Sequence, residues 1–176
     1  MNDPTSASPI NPASSPPSAS ANLQRLGFTL PTPAKPVAAY VPTRRIGNLV
    51  YVAGQIPFVD GKLMATGIVG QGVGGVGSVS IELAIQCAQR CALNALAAVA
   101  AELGSVDRVK SVVRLGVFVA CGPEFTDHPK VANGASELMV QVFGDAGRHA
   151  RAAVGSSSLP LGAPVEVECV FEAMDV

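Results

Sequence analysis

Apolar side chains along this chain fall into two rhythms, and the switch between them marks out its elements. Two runs rich in β-branched and apolar residues, Tyr40–Ile46 and Asn48–Gly54, meet at Ile46-Gly47-Asn48, which suits a tight turn. Asp60-Gly61 marks a second turn and a small hairpin ending near Met64. From Ile81 to Leu103 the period becomes helical, with Leu83, Cys87, Leu96, Val99 and Leu103 in step. Ser80 is placed to cap the first turn and Gly104 to stop the last. The other positions of this helix are mostly alanine, so more than one of its faces should be covered. Val109–Ala120 is a β-rich run with the character of a central buried strand. Lys130–Phe143 returns to the helical period behind Pro129, and Ala150–Ser157 and Val165–Met174 close the chain as strands. The order ββ(β)αβαββ predicts an α+β fold, a single sheet with two helices on one face. The second face of such a sheet would be left apolar, and self-association is the usual way to cover it.

Before Val37 this patterning dissolves. Met1–Asn22 holds five Pro, six Ser and four Ala, with Asp3 as its only charge. Such a composition buries too little apolar surface to offset the entropy of ordering, so it reads as a disordered tail whose removal should leave stability unchanged. A helical turn over Asn22–Leu26, stopped by Gly27, leads into a linker broken by Pro31, Pro33 and Pro36. Residues 23–36 are thus helix and linker, and 37–176 the single folded domain. Gly67–Gly77, with six glycines, reads as a mobile loop.

Composition narrows the partners. Twelve Lys+Arg oppose thirteen Asp+Glu in 176 residues, so nothing draws the chain toward nucleic acid or an acidic membrane. Trp is absent and aromatic residues make up 5%, too few for base-stacking platforms. The apolar stretch around Ala95–Ala101 is too short to span a bilayer, and the first residues have no signal-peptide pattern. The expectation is a cytoplasmic protein whose cysteines, Cys87, Cys91, Cys121 and Cys169, are free thiols.

Candidate chemistry is sparse. Gly72–Gly77 matches G-x-G-x-x-G, but no buried strand precedes it and no acidic residue follows at the required distance, so a rim loop is the better reading. Cys87 and Cys91 share a helix face without further ligands at metal-site spacing, and read as core packing. His128 reads as solvated, and His149 as a neighbour of a site through its closeness to Arg151. Arg151 opens a strand of small residues, while Glu166 and Glu168, two apart, share a face of the next. A structural ion pair and a reactive site both fit that spacing.

The block Ala53-Gly54-Gln55-Ile56-Pro57 and the longer one, Ala150-Arg151…Val154…Leu159-Pro160…Val165-Glu166-Val167-Glu168, resemble the signatures of the Rid (YjgF-like, RidA-type) enamine/imine deaminases, also known as endoribonuclease L-PSP proteins. The resemblance runs from about Tyr40 to the end, and the length of the second block points to a less well-defined branch. It implies a chorismate mutase-like fold, a homotrimer with a barrel-like core and three clefts between subunits. The activity it implies is hydrolysis of reactive 2-imino acids to 2-oxo acids and ammonia, with no metal or organic cofactor. By the same resemblance Arg151 clamps the substrate carboxylate and Glu166 orients water. Tyr40, Asn133 and the backbone near Gly54 and Ala153 would line the cleft. Two positions depart from the family pattern: Ala53 stands for a pocket serine, and Ala152-Ala153 for a polar pair. A trimer that binds small carboxylates without turnover is the alternative those changes favour. The endoribonuclease activity of the older name is a further one.

Overall fold

The computed structural model describes residues 17–33, 39–70 and 77–175. In chain order the elements are α1 (Ala19–Arg25), β1 (Thr43–Ile46), β2 (Leu49–Gln55) and the two-residue strands β3 (Phe58–Val59), β4 (Lys62–Leu63), β5 (Ile68–Val69) and β6 (Ser78–Val79). They continue with α2 (Ile81–Leu103), β7 (Val109–Ala120), α3 (His128–Phe143), β8 (Ala150–Ser156) and β9 (Val165–Ala173). Five strands form one mixed sheet in the order β1-β2-β9-β7-β8. All neighbours are antiparallel except β7 and β8, whose parallel pairing needs a crossover that α3 supplies.

The alternation in β9 fixes which face is covered. Val165, Val167, Cys169, Phe171 and Ala173 are buried beneath the helices, while Glu166, Glu168, Val170 and Glu172 look the other way. Phe171, Leu96, Leu115, Leu138 and Met139 are the largest fully buried side chains, so shortening one of these leucines to alanine should cost about 2–5 kcal/mol.

The long helix follows its sequence signals. Ser80 Oγ accepts from the Leu83 amide at 3.2 Å, and Gly104 ends the helix in the left-handed region. By length and composition α2 would also pass for a membrane span. Its buried residues, among them Ala88, Ala95, Leu96 and Val99, pack instead in one core with the sheet and α3. The two helices approach so closely that a Cβ on Gly134 would collide with the Ile85 carbonyl. Cys87 and Cys91 are buried in this packing, as their spacing suggested. Burial pushes the Cys87 thiol up to about 11, and the thiols of Cys91 and Cys169 upward as well.

Three expectations need correction. Helix α1 begins at Ala19, inside the stretch read as a tail, because its anchors lie far off in sequence. The Ser20 amide and hydroxyl both donate to the Asp107 carboxylate, at 2.7 and 2.6 Å, and Asn22 Nδ2 donates to the Val142 carbonyl at 2.9 Å. The glycine-rich segment is flanked by a short parallel ladder, β5 with β6, that ties its two ends together. The G-x-G-x-x-G run lies almost wholly outside the described residues. The open face of the sheet, finally, is not simply apolar. Tyr51, Val113 and Val154 are exposed there, but three β9 glutamates and Arg114 stand among them.

Candidate functional site

Glu166 and Glu168 do share a face, and they have different surroundings. Glu168 accepts from Arg114 Nη1 at 2.7 Å across the position of Gly116, where a Cβ would crowd its carboxylate. Glu166 is half-buried and, among the described residues, makes neither a hydrogen bond nor an ion pair with a side chain. Burial, reinforced by Glu168, pushes its carboxyl upward. A glycine lies against it. The pairing of β2 with β9 slips between Val52 and Gln55, and the extra residue of this bulge sets Gly54 against the Glu166 carboxylate, where any Cβ would collide. Beside this point Ala53, Tyr51, Arg44, Arg114 and Val170 line an open depression of about 610 Å³ on the sheet face.

Arg151 is elsewhere. Its strand, β8, is the sheet edge, and its guanidinium reaches toward α3. Nη1 donates to Asn133 Oδ1 at 2.9 Å and to Ser136 Oγ at 3.0 Å. Ser136 Oγ in turn lies 3.0 Å from His149 Nε2, and His149 Nδ1 lies 2.6 Å from the Gly147 carbonyl oxygen. Ala153, two residues along β8, is half-buried against the core on the same side.

Strand register shows that the two charged groups lie on opposite faces. Leu115 of β7, whose side chain is under the helices, pairs with both Arg151 and Cys169. Phe118 pairs with both Val154 and Glu166, on the open side. Two strand spacings and three residues of rise put the Arg151 and Glu166 Cα atoms roughly 14 Å apart. The chain therefore carries two candidate half-sites, Gly54 with Glu166 and Asn133 with Arg151, that its own sheet separates. Tyr40 belongs to neither: it is 51% exposed at the bend before β1.

Sequence reasoning did not find Ser136, although it lies one helical turn from Asn133 and so shares its face. Nor did it find Arg114, whose pairing with Glu168 is a cross-strand contact. His128, read as solvated, is half-buried: its Nε2 is 3.3 Å from Cys121 Sγ, and Phe125 meets its ring edge-on at 5.1 Å.

Comparison with known proteins places the chain in a recognised group. Residues 20–172 match the family described as "YjgF/chorismate_mutase-like, putative endoribonuclease". The match includes all but the first residue of α1. The curated protein TCP17 of Trypanosoma cruzi is 45% identical over 153 residues, 86% of this chain and 92% of that protein. The crystal structure of Atu1372 from Agrobacterium tumefaciens, described as of unknown function, is 44% identical with a TM-score of 0.78, covering 89% of this chain and 93% of the other. A structure from Shewanella oneidensis, described as a putative endoribonuclease, is 28% identical with a TM-score of 0.81, covering 89% and 99%. Escherichia coli TdcF, solved with bound serine, shares the fold at 18% identity and a TM-score of 0.57, covering 82% and 95%.

Proposed function

Because the chain belongs to the YjgF/chorismate mutase-like family, we propose that it hydrolyses reactive 2-imino acids in clefts assembled from the half-sites of neighbouring copies. The reading rests on one observation: the structural ion pair goes elsewhere. Arg114 occupies Glu168, whereas Arg151 is held by the neutral groups of Asn133 and Ser136 and keeps its charge for a ligand. A guanidinium so held suits the α-carboxylate of an imino acid. The serine bound to TdcF is a small carboxylate of the same kind.

In this scheme a neighbouring copy brings Glu166 to the imine carbon, and a homotrimer would close three such clefts. The Glu166 carboxylate takes a proton from water as the oxygen attacks the protonated C=N carbon, giving a carbinolamine. The proton then passes to nitrogen, the C–N bond breaks to expel ammonia, and the hydroxyl proton passes to that ammonia, so that 2-oxo acid and ammonium leave. An upward-shifted carboxyl is the better base for this step, since its proton affinity lies nearer the working pH.

The ribonuclease reading carried by the family description has weaker support. Net charge is −1, and Lys110, Arg114, Lys130 and Arg148 are each paired with a carboxylate. The test is hydrolysis of 2-iminobutanoate, generated in place by a threonine dehydratase, for the wild type and Arg151→Ala. Turnover in the wild type alone is expected. Carboxylate binding without turnover would make the protein a binding trimer, and RNA cleavage that survives repurification would restore the nuclease.

A further inference from the structure

The hydrogen bonds around Arg151 form a directed chain, and its direction can be worked out from donor chemistry. The Gly147 carbonyl only accepts, so His149 Nδ1 carries the proton that reaches it over 2.6 Å. In the neutral imidazole, Nε2 is then an acceptor, and the Ser136 hydroxyl donates to it at 3.0 Å. With its own proton committed, Ser136 Oγ presents lone pairs to Arg151 Nη1, which donates at 3.0 Å. Asn133 Oδ1 accepts the second Nη1 hydrogen at 2.9 Å. Both hydrogens of Nη1 are thereby used. A guanidinium has five N–H donors. Those of Nε and Nη2 remain, and one from each points along the same edge of the plane.

We propose that Ser136 and His149 are positioning residues that lock the Arg151 guanidinium by Nη1 and turn its Nε/Nη2 edge toward the substrate carboxylate. The proposal rests on the carboxylate-clamp reading above and deepens it. It assigns a docking edge and a supporting pair that the signature blocks do not contain. The chain explains why Asn133 alone would be insufficient: one acceptor leaves the guanidinium free to swing about that bond, whereas two acceptors on one nitrogen fix its plane. It also gives His149 a function at a distance, since its ring fixes which way the Ser136 hydroxyl points.

Binding of 2-oxobutanoate by the full chain, measured by calorimetry beside imine turnover, tests the assignment. Ser136→Ala should weaken 2-oxobutanoate by about tenfold and raise KM in parallel, with kcat within about twofold. His149→Phe should weaken it by about threefold, by freeing the hydroxyl to turn. Ser136→Thr, which keeps the hydroxyl, should restore binding, and the neutral amide of the ligand should be insensitive to all three changes. Unchanged binding in Ser136→Ala, with a wild type that binds, would overturn the positioning role and leave the clamp intact. A loss of kcat together with a lowered Tm, not rescued by threonine, would make Ser136 structural. A wild type that neither binds 2-oxobutanoate nor hydrolyses the imine would remove the clamp itself and the inference with it.

Discussion

Gly54 and Glu166 occupy adjoining space so closely that a single added Cβ on the glycine would overlap the carboxylate. The bulge of β2 creates this contact, and the absence of a side chain lets the glutamate fold down against the strand. Gly54→Ala should therefore displace Glu166 without disturbing the core, because the atoms in the way are the far end of a flexible side chain. The expected result is a Tm near that of the wild type with imine hydrolysis lowered by at least about tenfold. Full activity in this variant would show that Glu166 can work from another position.

The carboxyl of Glu166 also ties stability to pH. Burial, with Glu168 adding to it, raises its native value above the ordinary 4.5. Between those two values the native chain holds more protons than the unfolded one, so stability falls as pH climbs through the window. Glu166→Gln removes that titration. Thermal melts of the variant and wild type should differ little at pH 4, and the variant should be the more stable at pH 7. An advantage at pH 4 equal to that at pH 7 would exclude ionisation as its source.

The docking of α1 gives a prediction of opposite sign. Burial pushes Asp107 up, but hydrogen bonds from Ser20 and Ser18 outweigh it and hold the carboxyl below its ordinary 3.8. The associated stabilisation is present above that value and is lost as pH falls through the native one. Asp107→Ala should cost about 1 kcal/mol at neutral pH, measured by denaturant unfolding, with the deficit closing in acid. Removing residues 1–22 should lower Tm for the same reason, since Ser20 and Asn22 go with them. An unchanged Tm would mean that the helix contributes nothing to the domain.

What could be read from sequence depended on how local its cause is. Helix α2 was legible because Ser80, the apolar period and Gly104 all lie within the element they specify. Strand β9 was legible because alternation alone separates Phe171 and Cys169 from Glu166 and Glu168. Helix α1 began earlier than expected because Asp107, which secures it, is 87 residues from Ser20. The same distance problem hid the chemistry. Whether Glu168 pairs with Arg151 or with Arg114 depends on which strand lies between them, and sequence spacing carries no such information. Ser136 and His149 meet only because α3 returns the chain alongside β8. The resemblance gave Gly54, Asn133, Arg151 and Glu166 as one cleft, and their division between two faces of the sheet needed the strand register.

That division has a genetic consequence. With β7 standing between the strands that carry Arg151 and Glu166, damage to one half-site leaves the other half of the same subunit sound. If neighbouring copies share clefts as proposed, Arg151→Ala and Glu166→Gln chains are each inactive alone, yet each supplies what its neighbour lacks. Dissociated, mixed in equal amounts and reassociated at random, they should regenerate about a quarter of the clefts in working form. Two silent preparations would thus complement each other across the subunit boundary, with activity owned by the contact and not by any single polypeptide.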